Sequence, residues 1–171
     1  MKEVRAEVGG FSDRAVYSDD MTYRYEFHRR WSADTTDDNT VAWVLLNPAT
    51  GDTDGKQRPT LGRCIKWSQA WGFGGLTIVN LFAYRATKPR DLLLATDPLG
   101  SANDEVLERV AATAGRVVAA WGAHGRLLNR GRQVAARFPE AVCLGHTRRG
   151  EPRHPLYVPT VAALVPLLPR M

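Results

Sequence analysis

The spacing of hydrophobic and polar positions changes repeatedly along the chain, and the changes mark its elements. Between positions 14 and 31 aromatic and polar side chains alternate, as in Tyr23-Arg24-Tyr25-Glu26-Phe27-His28. A period of two predicts a half-buried strand, and Asp19-Asp20 can turn a hairpin within it. After the polar loop Asp34-Thr35-Thr36-Asp37-Asp38-Asn39, the run Val41-Ala42-Trp43-Val44-Leu45-Leu46 is apolar on both faces. That is the signature of a buried parallel strand, and Pro48 stops it. Beyond Pro59-Thr60 the period lengthens: Leu61, Cys64, Ile65, Ser68 and Trp71 share one helical face, and Gly72, Gly74 and Gly75 end the helix.

The second half repeats the alternation. Residues 76–82 and 117–121 read as further buried strands, and 141–144 as a short fourth one. Ser101-Ala102-Asn103-Asp104-Glu105 opens a helix with capping residues and early negative charge, its apolar face being Val106, Leu107, Val110 and Ala114. Residues 125–138 predict another helix, and 159–168 a final one opened by Pro159. Strands alternating with helices imply parallel crossovers. The expected fold class is α/β, a three-layer α/β/α sandwich with a central, mostly four-stranded parallel sheet and an N-terminal strand or hairpin. With 171 residues and 44% hydrophobic content, one core is expected. The reading is a single domain over 1–171, with an N-terminal β segment at 14–31 and the α/β core at 41–168.

Composition narrows the partners. No run approaches the roughly twenty apolar residues of a membrane span, and Met1-Lys2-Glu3-Val4-Arg5 lacks the apolar core of a signal peptide. A cytoplasmic protein with no membrane partner is expected. Cys64 and Cys143 stand far apart without metal-ligand spacing, so the reading is two reduced core residues, no metal and no cofactor. The net charge of +5 arises from 23 Lys and Arg against 18 acidic residues. The basic side chains are mostly arginines, and because acidic residues crowd the amino end the positive excess lies in the carboxyl half; guanidinium forks suit phosphate. Nucleic acid or a nucleotide is the partner this suggests; an arginine-rich surface without function is the alternative. Nothing implies a protein partner.

Candidate chemistry sits where apolar runs end. Asn47, before Pro48-Ala49-Thr50, can hold a water or a substrate edge, or simply begin a turn. Asn80 repeats the arrangement one strand later, and its amide offers a donor beside an acceptor, as a nucleobase edge requires. Trp121-Gly122-Ala123-His124-Gly125 lets backbone approach a ligand near an imidazole, though His124 also fits a solvated turn. His154 lies in the rigid loop Pro152-Arg153-His154-Pro155 and can donate to a developing oxyanion. Gly51-Asp52-Thr53-Asp54-Gly55-Lys56 fails as a phosphate loop: it is one residue short, and Gln57 replaces the hydroxyl residue. Asp52 and Asp54 can position a water or metal, but such pairs are common in polar loops.

These strings, with Trp71-Gly72-Phe73-Gly74-Gly75-Leu76, Val79-Asn80-Leu81-Phe82-Ala83-Tyr84-Arg85-Ala86-Thr87, Asp97-Pro98-Leu99-Gly100 and Pro152-Arg153-His154-Pro155-Leu156-Tyr157, resemble an uncharacterised bacterial family, domain of unknown function 1643. More remotely, the order of sites resembles the uracil-DNA glycosylase superfamily. That resemblance implies a uracil-DNA glycosylase-like fold and an N-glycosidic hydrolase acting on a base in DNA or RNA. Asn47 becomes the water-positioning residue, Asn80 the base reader, His154 the stabiliser of the leaving base and Leu156 a wedge. Pro48, Thr50, Trp121 and His124 join the expected substrate site, and Arg85, Arg126 and Arg153 the expected phosphate contacts. The chain departs from the glycosylases at Leu45, where glycine is usual, at Ala49, and in a His-Pro loop without serine. The alternatives are hydrolysis of a free nucleoside or nucleotide, and a non-catalytic nucleic-acid or nucleotide-binding module.

Overall fold

The computed structural model describes residues 1–50 and 58–168. Three strands, β1 (Lys2–Val8), β2 (Phe11–Tyr17) and β3 (Arg24–Arg30), open the chain as an antiparallel meander. They are followed by β4 (Thr40–Leu45), α1 (Pro59–Ala70), β5 (Gly75–Asn80), α2 (Asn103–Thr113), β6 (Arg116–Ala119), α3 (Arg130–Arg137), β7 (Val142–Cys143) and β8 (Val165–Pro166). All eight join one mixed sheet in the order β1-β2-β3-β5-β4-β6-β7-β8. The β5-β4-β6-β7 segment is parallel, and the strands on either side of it pair antiparallel. The fold is therefore mixed α/β: the parallel segment has the four strands expected, and the sheet is widened by the three-strand N-terminal meander and by β8.

The parallel strands form because their side chains are buried on both faces. Val41, Trp43, Leu76, Ile78 and Val118 meet Cys64, Ile65 and Trp67 of α1 in one core cluster. Ala42, Val44, Val79 and Ala119 meet Val106, Leu107 and Val110 of α2 and Val134 and Ala135 of α3 in the other. Adjacent strand residues point to opposite faces, so the two clusters lie on the two sides of the sheet. Trp43 ties α1 down: its fully buried indole N–H donates to Ser68 Oγ at 3.0 Å, and its ring stacks on Trp71 at 5.6 Å. Cys64 and Cys143 are buried and unbridged, and burial pushes both thiols up, away from nucleophilic character.

Three expectations are corrected. The N-terminal β segment is a three-strand meander, held to α2 where Arg109 donates to the buried Glu26 carboxylate. Burial opposes ionisation of that carboxylate, but His28 and Arg109 outweigh it and hold it below its usual range. The helix expected at 125–138 starts only at Arg130, because Leu128 and Asn129 take left-handed backbone and break a preceding 3-10 turn. No helix forms at 159–168; a 3-10 turn spans Pro155–Tyr157 and Val165–Pro166 pairs with β7 at the sheet edge. Pro166 would interrupt a helix, whereas an edge strand tolerates it. Among the described residues no helix is long and apolar enough to cross a membrane.

Candidate functional site

The strand order makes a topological switch: the chain crosses from β4 to β5 on one side and then back over β4 to β6 on the other. Open α/β sheets leave a crevice at the carboxyl ends of the strands at such a point. A cavity of about 630 Å³ lies there. Leu45, Leu46, Asn47, Pro48 and Ala49 line it from the end of β4, Ile78 and Asn80 from β5, Trp121, Gly122, Ala123 and His124 from beyond β6, and His154, Leu156 and Tyr157 from the late loop. Arg24 and Phe27 of β3, Arg58, Thr60 and Leu61 at the start of α1, and Ala86, Thr87 and Pro89 beyond β5 complete the wall.

Seven expected site residues, Asn47, Pro48, Asn80, Trp121, His124, His154 and Leu156, thus share one cavity. Thr50, Arg85, Arg126 and Arg153 are not among its lining residues. Arg85 instead braces the loop after β4: it donates to the carbonyls of Met21 and Thr50, each at 2.9 Å, and lies over the Tyr17 ring. Thr50 bonds the Thr87 hydroxyl at 2.6 Å. Arg126 and Arg153 are exposed. The Asp52 and Asp54 pair lies outside the described residues.

The two asparagines are held very differently. Asn47 Nδ2 donates to the carbonyls of Pro48, at 3.0 Å, and Ala86, at 2.9 Å, which fixes the amide orientation and leaves Oδ1 as an acceptor. Asn80 is 1% exposed, and neither Nδ2 nor Oδ1 finds a partner. Its main chain, by contrast, is held firmly. Asn103, the first residue of α2, donates through Nδ2 to the carbonyls of both Asn80 and Leu81 at 3.0 Å. Arg130, the first residue of α3 and 2% exposed, donates through Nε to the Leu81 carbonyl at 2.9 Å and pairs with Asp104. Burial works against the Asp104 carboxylate, but Arg130 and then Arg137 outweigh it and hold its pKa below the ordinary range. Asn103 opens α2, as the sequence predicts, and its side chain also turns inward and braces the strand.

His154 is built into a tight turn. Its Nδ1 accepts from the Leu156 backbone N–H at 3.2 Å, so Nε2 carries the proton. Burial pulls its pKa below the ordinary imidazole value, and the ring is neutral at neutral pH. The turn is anchored by Gly122, whose N–H donates to the Pro152 carbonyl at 2.9 Å. Gly122 has φ of 76° and ψ of −169°, and a Cβ there would stand 3.1 Å from His154 Cβ. Only glycine fits that backbone and that approach. Trp121 is aimed by Glu151, which accepts its indole N–H at 2.7 Å.

The wall is mainly apolar, with the unpartnered Asn80 amide, the two imidazoles of His124 and His154 and two guanidinium groups; no carboxylate lines it among the described residues. No group of three His, Cys, Asp or Glu among those residues is placed to hold a metal ion. The unpartnered amide in this wall can pair with a group that offers a donor beside an acceptor. Sequence reasoning missed Phe27, Arg24 and Arg58; their signal was weak, since each looks like ordinary strand or loop composition until β3 docks beside β5.

A comparison with curated proteins and one with solved structures each returned no match. One family model, described as "Protein of unknown function (DUF1643)", matches residues 24–156. That span includes every described lining residue except Tyr157. The chain therefore belongs to the DUF1643 family of proteins of unknown function.

Proposed function

We propose that the cavity receives a nucleobase and that the protein hydrolyses the N-glycosidic bond joining it to its sugar. The observation that carries this is the buried, unpartnered Asn80 amide at the cavity wall. A buried polar group left unsatisfied costs roughly 1–3 kcal/mol. A base edge, with donor and acceptor side by side, would satisfy both of its atoms. Asn47 Oδ1, locked by the two bonds of its own Nδ2, accepts from a water and aims it at the anomeric carbon. As the water oxygen bonds to that carbon, the C–N bond breaks and its electrons pass to the base. His154 Nε2–H donates to the base as negative charge develops there, and the proton lost by the water ends on the base.

Helix α1 in one core cluster and α2 and α3 in the other support the three-layer sandwich that this reading expects. A second reading, binding without catalysis, is favoured by the lack of a carboxylate among the described lining residues. The deciding experiment incubates the protein with uracil-containing DNA, unmodified DNA and RNA and free nucleosides, and detects released base by mass spectrometry. Base release that is lost in Asn80→Asp, Asn47→Ala and His154→Ala supports hydrolysis. Binding that depends on Asn80 without release supports the second reading. Neither binding nor release with any of these ligands overturns both.

A further inference from the structure

Next to the cavity runs a segment with three exposed arginines, Arg148, Arg149 and Arg153, that serve neither the core nor the cavity wall just described. Thr147 N–H donates to the Glu151 carbonyl at 2.7 Å and Gly150 N–H to the Thr147 carbonyl at 2.9 Å. These bonds close a tight hairpin, with Gly150 at φ 87° and a bridge between His146 and Pro152 at its base. Arg148 and Arg149 occupy its tip. Arg153 follows on the returning limb, held by its own N–H to the Gly145 carbonyl at 2.9 Å. All three arginines are exposed. The limb then enters the cavity wall at His154 and emerges with Leu156, 42% exposed, and Tyr157, 78% exposed. The Tyr157 ring lies 5.7 Å from the His154 ring, tilted by 49°. An aromatic side chain this exposed contributes little to the core and has a face open for stacking.

Arg149 is five residues from His154, a reach of at most about 17 Å along the chain. The segment therefore combines a rigidly turned pair of cations, a third cation and an exposed aromatic ring at the mouth of the cavity. Cations that track phosphates and aromatic rings that stack bases are the two elements of single-strand nucleic-acid recognition. We propose that residues 147–157 form a track for a single-stranded polynucleotide, with Tyr157 stacking a base at the cavity mouth and Arg148, Arg149 and Arg153 contacting phosphates. This rests on the base-binding reading of the cavity and extends it: the substrate is a polymer, not a free nucleoside.

The test is fluorescence anisotropy of a labelled, short single-stranded DNA at a series of salt concentrations. Each phosphate contact on a single strand contributes about 0.7 to the slope of log affinity against log salt. The Arg148→Ala/Arg149→Ala variant is expected to lower that slope by about 1.4. Tyr157→Ala is expected to weaken binding about tenfold with the slope unchanged. Wild-type affinity and slope in the double arginine variant overturn the track, as does equal affinity for a fully paired duplex. The track and the base-binding reading fail separately. Loss of nucleoside binding in Asn80→Asp with an unaltered arginine variant removes the track alone. A weakened arginine variant beside a silent Asn80→Asp keeps the track as a nucleic-acid surface and removes the base reader.

Discussion

Replacing Asn80 by Leu keeps the branched shape of the side chain and removes an amide that has no partner in the fold. The free protein is expected to keep or gain stability, by up to roughly 1–3 kcal/mol, while binding of the base is lost. Thermal melting with and without ligand separates the two effects. An ordinary core asparagine would behave oppositely, losing stability when replaced. His154 makes a pH-dependent prediction at the same scale. Its folded pKa is depressed by burial, so above the ordinary value near 6.5 it is neutral in both states and contributes no pH dependence. As pH falls below that value, the unfolded chain takes up a proton that the folded chain resists, and the folded form loses stability. The stability difference between wild type and His154→Ala should therefore be constant above that value and change only on the acid side, where the wild type falls faster. A constant difference across the range would show that burial of this imidazole has no energetic consequence.

The ends of elements matter more to the site than their middles. Strand β5 presents Asn80 as its last residue, and the first residues of α2 and α3, Asn103 and Arg130, grip the carbonyls at that end. The turn after β6 depends on Gly122. Gly122→Ala is expected to cost about 1–3 kcal/mol, because its backbone lies in a region that a side chain rarely enters. It should also weaken ligand binding more than a distant change of equal cost, since the new Cβ meets His154. Chemical denaturation and ligand titration check the pair of effects. The elements differed in how legible they were. Strands β4 and β5 could be read from sequence because burial on both faces leaves a mostly apolar run, interrupted in β5 by Thr77. Strand β1 could not: all seven of its residues are exposed, so no burial pattern marks it, and it forms by pairing with β2. Pro159, well placed for a helix's first turn, suggests a helix over 159–168, but an edge position beside β7 and Pro166 decide against it. At the site, Asn47, Asn80 and His154 were visible because each follows an apolar run or sits in a proline-bounded loop. The bracing roles of Asn103 and Arg130 were not, because they depend on which carbonyls the folded chain brings near.

Across the whole molecule, the cavity draws on residues from Arg24 to Tyr157, and its two sides are joined by pairings between distant parts of the chain. Val41 pairs with Arg116 and Val44 with Ala119, with β5 and α2 lying between them in sequence. Pairings of such long range are slow to form, because loop closure must precede the contacts that reward it. The cavity walls are therefore expected to dock late in folding. Interactions that form after the transition state, when weakened, alter the rate of leaving the native state and spare the rate of reaching it. Asn47→Ala, which removes the bond to the neighbouring Pro48 carbonyl and the one tying the end of β4 to the loop at Ala86, should accelerate unfolding in stopped-flow measurements and leave the refolding limb unchanged. A slowed refolding limb would place the cavity in the folding nucleus. The expected result makes the endurance of the native state, rather than the speed of its formation, the property that substitutions around the cavity tune.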